Sequence, residues 1–207
     1  MPIMSRFITT SRLELFHIGQ ILAAAVDAQL LQNKDDPVIV SIQGSSGAGK
    51  SVVAEAFRER VVGRGDGSHS YHGDEIDTGR INGQPVEVGF LDSSFESAYN
   101  NDAFNQVAGQ AREDLFMSLR QNGGIAIIQN KLDLGGADIE FWVENNSGRI
   151  NNGFPSRLDD SGLKKEFNDT VATHGDTWVR YVEINISDKL ASSPAIKAAV
   201  KTAVASV

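Results

Sequence analysis

The chain has 207 residues, 41% apolar and 22% charged, a balance that suits one globular α/β domain with a sizeable core. Its 19 basic and 27 acidic residues leave a net charge of −8, which argues against broad non-specific nucleic-acid binding, and with no cysteine it has no disulfides, no thiolate chemistry and no Cys-ligated zinc. No apolar run approaches a membrane span, and Glu14 and His17 interrupt the N-terminal stretch where a signal peptide would need an unbroken apolar core.

Residues 4–9 suggest a short first strand. Ser11 with Glu14 three residues on is a capping-box pattern, and Leu15, Ile18, Leu22 and Ala25 continue at helical spacing to about Gln32. A turn from Asn33 to Pro37 follows. Val38, Ile39, Val40 and Ile42 then make a β-branched run that leads into Gly44-Ser45-Ser46-Gly47-Ala48-Gly49-Lys50-Ser51-Val52. Val53, Phe57 and Val61 recur at i, i+4 and i+8 beyond it, the spacing of a helix packed on a sheet.

Strand, glycine loop and helix in that order give G-x-x-x-x-G-K-[ST] its meaning. Gly44, Gly47 and Gly49 permit backbone conformations that a Cβ would block. Successive amides then form a nest for phosphate oxygens at a helix N-terminus, whose partial charge adds to the attraction. In such a loop Lys50 reaches the β- and γ-phosphates and the Ser51 hydroxyl sits on Mg²⁺.

Residues 68–100 are harder to place. His72-Gly-Asp74-Glu75-Ile-Asp77 is dense in carboxylates, and Val86 to Leu91 alternates as a strand ending at Asp92. Phe104, Val107, Ala111, Leu115 and Leu119 predict a second helix, stopped by Asn122-Gly-Gly124, and Ile125 to Ile128 a short buried strand ending at Gln129. Residues 137–143 and 177–186 both alternate and are expected to pair antiparallel at the sheet edge. About thirty residues separate them, too many for a plain loop. Leu163, Phe167 and Val171 predict a helix within this 145–176 insert, capped by Asp160 or Ser161, after a mobile Asn/Gly/Ser-rich stretch from Asn145 to Arg157. Ser193-Pro194 starts a last helix carrying Ile196, Val200 and Val204.

A phosphate loop needs an acid at a neighbouring strand end to hold Mg²⁺ through water. Asp92 and Asp74 compete for that work: Asp92 as the metal's second-sphere acid, Asp74 as the base of a small-molecule kinase. Gln129 stands where a third acid would be, and it can orient water but cannot serve as a base. The four histidines show no metal spacing, and Arg112, Arg120, Arg149, Arg157 and Arg180 are all available as a transition-state arginine, with nothing in the sequence to choose among them.

The opening third resembles the TsaE family, small bacterial P-loop ATPases that work with partner proteins in making threonylcarbamoyladenosine on tRNA. A capped helix (Ser11, Glu14, then His17-Ile-Gly-Gln-Ile-Leu-Ala) precedes the loop strand, and G-S-S-G-A-G-K-S fills the glycine-loop position. Gly89-Phe-Leu-Asp92 falls at the family's strand-end aspartate, while Gln129-Asn130 replaces its Glu-Trp. The resemblance implies Lys50, Ser51 and Asp92 as site residues, with ATP and Mg²⁺ bound and a protein partner in a tRNA-modification assembly. The expectation is a single domain over 1–207 with a three-layer P-loop NTPase fold, mainly parallel with an antiparallel edge hairpin, binding and slowly hydrolysing ATP in the cytoplasm. A small-molecule kinase and a non-catalytic nucleotide-binding regulator are the alternatives.

Overall fold

The computed structural model describes residues 1–32, 37–44, 47–61, 74–81, 84–92, 117, 124–130, 136–145, 156–158, 161–175 and 178–206. In chain order these give β1 (Ile3–Thr9), α1 (Arg12–Gln32), β2 (Val38–Gly44), α2 (Lys50–Val61), β3 (Asp74–Ile81), β4 (Gln84–Asp92), β5 (Ile125–Asn130), β6 (Ile139–Asn145), α3 (Ser161–His174), β7 (Arg180–Ile186), α4 (Asp188–Ala191) and α5 (Pro194–Ala205). The strands form one sheet in the order β1-β7-β6-β2-β5-β4-β3. Its four central strands, β6-β2-β5-β4, are mutually parallel, and antiparallel pairs flank them on both sides. The expected α/β class holds, with parallel strands at the centre of the sheet.

The expected hairpin partners do pair, from Ile139 opposite Ile186 to Asn145 opposite Arg180. They are not the edge: β1 lies outside β7, with Phe7 opposite Val182. The other edge, β3, is the strand the carboxylate-rich sequence concealed. Asp74–Ile81 pairs antiparallel with β4 along its whole length, from Asp74 opposite Leu91 to Ile81 opposite Gln84. The helix expected around 104–119 lies outside the described residues except at Met117, which is helical.

Period-2 alternation gives the sheet two different faces. Val38, Val40 and Ile42, Ile139, Phe141 and Val143, and Val182, Ile184 and Ile186 face one way, into an apolar core under α1, α2 and α5. Gly19 lets α1 lie close on α2, since a Cβ there would stand 2.7 Å from that of Ala56. Half of the expected capping box forms, Glu14 N–H donating to Ser11 Oγ at 3.3 Å. The Glu14 carboxylate accepts from the buried Thr9 hydroxyl at 2.5 Å instead of returning to the Ser11 amide.

The opposite face carries Ser41, Gln43, Glu140, Trp142, Glu144, Tyr181, Glu183 and Asn185, an alternation that would suit a wet surface. It is covered by α3, which buries Phe167, and by the segment Ser156–Leu158. Arg157 reaches in to Glu140 at 3.0 Å and Glu183 at 3.2 Å and lies 4.4 Å over the Trp142 ring. The described part of the insert is therefore a packed third layer. Ser193 caps α5, accepting from Ile196 N–H, with Pro194 in the first turn, and this helix packs on α1 and β1.

Candidate phosphate site at the carboxyl edge of the sheet

β2 delivers the chain to the loop at Gly44, where φ is +135°. A side chain is excluded there twice, because a Cβ would lie 2.0 Å from the Val143 carbonyl oxygen of β6. Gly49, at φ +114°, sits against Trp178 and Leu15, whose atoms would lie 3.1 and 3.3 Å from a Cβ. Helix α2 starts at Lys50 and is closed by Val52 N–H to Gly49 O at 3.0 Å. Lys50 is buried with its Nζ donating to the Gly44 carbonyl at 2.9 Å, and so stretches back across the loop. Ser51, in the first turn, is exposed, and Ala48 and Val52 are buried. Ser45 and Ser46 lie outside the described residues.

The outer side of the loop is tied down by β7. Arg180 Nε donates to Ala48 O at 2.5 Å and Nη2 to Gly47 O at 3.1 Å. Its third bond goes to Val179 O at 2.8 Å, and its guanidinium lies 4.3 Å over the Trp178 ring. Burial pushes its pKa down from the usual arginine value. A peptide's C=O and N–H point in opposite directions. Holding the Gly47 and Ala48 carbonyls toward Arg180 therefore turns the Ala48 and Gly49 amides to the other side, and among the described residues no acceptor meets them. That is a cradle of donors with a lysine across it, closed to any side chain at Gly44 and Gly49.

The acids predicted from sequence share this edge of the sheet. Asp92 ends β4 opposite Gln129, which lies opposite Ile42, two residues before the loop. Two strand spacings put the Asp92 backbone about 10 Å from β2. Asp74 opens β3 opposite Leu91, one strand further out at the same edge. Gln129 thus stands between Asp92 and the loop strand. On the other side of β2, the buried Asn145 ends β6 with its amide nitrogen 3.8 Å from a Cβ placed on Gly47.

Sequence reasoning left Arg180 as one of five equivalent arginines. The structure separates two of them: Arg180 holds the loop, and Arg157 is bound to Glu140 and Glu183 on the far face. A signal for Arg180 exists in the chain. It is in phase with Val182, Ile184 and Ile186, a charge where the alternation calls for an aliphatic. A second missed signal is Asn130-Lys131-Leu132-Asp133, the N-K-x-D guanine signature, directly after β5. A carboxylate in that pattern can accept both the N1–H and the N2–H of guanine. Residues 131–135 lie outside the described residues.

Among the described residues no cluster of three or more His, Asp or Glu could hold a metal by itself, and no helix is long and apolar enough to cross a membrane. No protein-family profile matches the chain, and no curated protein matches it in sequence. Among solved structures, the crystal structure of YdiB from Bacillus subtilis aligns over 98% of this chain and 97% of its own length, with a TM-score of 0.48 and 10% identity, a likeness too slight to bear on function.

Proposed function

We propose that this chain is a P-loop nucleoside triphosphatase that binds ATP with Mg²⁺, turns it over slowly and depends on a protein partner, in the manner of the TsaE family whose order of motifs it resembles. One observation carries the reading: G-S-S-G-A-G-K-S sits between a buried parallel strand and a helix, with the Ala48 and Gly49 amides turned away from Arg180 and Lys50 drawn back to Gly44. Lys50 and the loop amides would hold the β- and γ-phosphate charge. The exposed Ser51 hydroxyl suits Mg²⁺, which takes few protein ligands and keeps phosphate oxygens and water for the rest. Asp92 would hold that water shell from the end of β4, two strands from the loop strand. Gln129, in register beside it, cannot serve as a base, which fits a low intrinsic rate and a partner, in a tRNA-modification assembly, that completes the site. The reading places the protein in the cytoplasm, where ATP is found. The kinase alternative keeps one point in its favour, Asp74 at the same edge of the sheet.

The test is binding and turnover of Mg²⁺-ATP and Mg²⁺-GTP by the wild type, Lys50→Ala, Asp92→Asn and Asp74→Asn, alone and with a pool of small phosphate acceptors. The expected result is triphosphate binding lost in Lys50→Ala and slow hydrolysis lost in Asp92→Asn. Fast transfer to an acceptor, abolished in Asp74→Asn, would make the protein a kinase. Binding with no turnover under any condition would make it a regulator. Tighter binding of GTP, lost on Asp133→Asn, would replace ATP by GTP. A wild type that binds neither nucleotide defeats the reading.

A further inference from the structure

Arg180 is 8% exposed, yet every hydrogen bond it makes among the described residues goes to a neutral carbonyl, and no carboxylate of those residues lies within ion-pair distance. Buried guanidinium groups are normally neutralised, because an unpaired charge in a low-dielectric interior is costly. Arginine does not escape that cost by losing its proton, since its intrinsic pKa is too high. The Trp178 face offsets part of it. The charge lies immediately behind the two peptides whose amides face the cradle.

We propose that Arg180 is the positioning residue and built-in counter-charge of the phosphate site. It pins the Gly47 and Ala48 carbonyls so that the next two amides point at the bound anion, and its own positive charge is balanced by a polyphosphate on the other side of the loop. The inference rests on the phosphate-binding reading above and deepens it. It makes the loop select ligands by phosphate charge, whichever purine is attached.

Pyrophosphate, which has no base, is the first probe, followed by AMP, ADP and ATP, titrated calorimetrically into wild type, Arg180→Lys and Arg180→Gln. Loss of a charge-assisted clamp is expected to weaken pyrophosphate and ATP by roughly 10- to 100-fold in Arg180→Gln. Arg180→Lys, which keeps the charge and loses the fork, should recover part of that loss, and the effect should grow from AMP to ADP to ATP. A loosened fold alone would weaken all three alike. Affinities in Arg180→Gln within about threefold of wild type, or an equal loss for all three nucleotides, overturn the inference and leave the phosphate loop standing. A wild type that binds neither pyrophosphate nor nucleotide overturns both. If the variants do not fold, the wild type decides. The Arg180 Nε–H resonance should be protected from solvent exchange and should shift when pyrophosphate is added, and an unprotected, unresponsive signal defeats the proposal.

Discussion

Two arginines in this molecule lie over tryptophan rings at nearly the same distance, Arg157 over Trp142 at 4.4 Å and Arg180 over Trp178 at 4.3 Å, and they differ in what answers their charge. Arg157 is neutralised. Burial alone would lower its pKa, but the hydrogen bonds and charges of Glu140 and Glu183 outweigh that and carry it above the usual arginine value. Arg180 has carbonyls for partners, and burial lowers its pKa unopposed. A guanidinium whose charge is answered inside the protein holds layers together. One that among the described residues meets only carbonyls, behind the Ala48 and Gly49 amides, is what the proposed phosphate site calls for. The stack on an aromatic ring, identical in both, says nothing about which is which.

The comparison is broken most forcefully from the Arg157 side. Arg157→Ala leaves the buried Glu183 and the half-buried Glu140 with fewer partners, and Glu183 then relies on Arg6 at 3.0 Å and on neutral donors. Removing one member of a mostly buried pair should cost roughly 2–4 kcal/mol, at the lower end because Arg157 keeps some exposure. For a chain of this size that lowers Tm by roughly 5–15 °C. The folded variant should bind nucleotide as the wild type does. An Arg157→Ala protein of unchanged Tm and impaired nucleotide binding would reverse the roles assigned to the two arginines.

The tryptophans provide a matched pair of smaller effect. Trp142→Leu and Trp178→Leu each remove a cation–π contact worth on the order of 1–2 kcal/mol in a desolvated setting. Both should lower Tm by several degrees. Only Trp178→Leu should also weaken phosphate binding, since Trp178 flanks Gly49 as well as Arg180. Comparing thermal melts with nucleotide titrations on the two variants separates layer from loop.

How much of this was legible in the sequence follows from the range of the interactions involved. The loop, the capped first helix, α3 and the Ser193-Pro194 cap are local, set by residues within one or two turns of each other, and the motif and spacing rules found them. The antiparallel partnership of β6 and β7 was also visible, because Ile139, Phe141 and Val143 alternate as clearly as Val182, Ile184 and Ile186. What was not legible depends on contacts across the chain. β3 has carboxylates and a glycine where strand formers are expected, and it pairs because β4 is next to it. The polar residues in phase on the back of the sheet imitate a solvent-facing surface until Arg157, more than ten residues away, supplies their counter-charge. Arg180 was one arginine among five because its partners, Gly47 and Ala48, are 133 and 132 residues distant.

Tyr181 offers a finer cut through the Arg157 network. Its hydroxyl donates to Glu183 Oε2 at 3.0 Å, and its own pKa is pushed up, first by burial and then by the Glu183 charge and hydrogen bond. Burial would raise the Glu183 pKa, but donors from Asn185 and Tyr181 and the charges of Arg6 and Arg157 hold it below the usual glutamate value. A carboxylate depressed in the folded state adds stability above its unfolded pKa of 4.5 that is lost as pH falls through the folded value. Tyr181→Phe should cost about 1 kcal/mol at neutral pH, and the acid limb of its stability curve should flatten below pH 4.5 as Glu183 loses a donor. Urea melts from pH 3 to pH 7 would show it, and an acid limb as steep as wild type would remove Glu183 from the account.

Asp27 gives the smallest effect and the opposite sign. It is buried between α1 and α2, one oxygen receiving Arg60 Nε at 2.8 Å and the other without a hydrogen-bond partner among the described residues. Burial raises its pKa, and the Arg60 charge and hydrogen bond do not fully oppose that. A carboxyl whose folded pKa lies above 3.8 binds its proton more tightly when folded, so its contribution is largest below pH 3.8 and is lost as pH rises through the folded value. At neutral pH Asp27→Asn keeps an acceptor for Arg60 and removes a poorly solvated charge, and the half-exposed Arg60 limits what the ion pair contributes. The change should therefore be within about 1 kcal/mol of wild type, and neutral or stabilising. Loss of several kcal/mol at pH 7 would show that Asp27 is a fully compensated ion-pair partner, as Glu140 and Glu183 are for Arg157. An unchanged melt would show Asp27 to be a buried charge that folding tolerates and does not rely on.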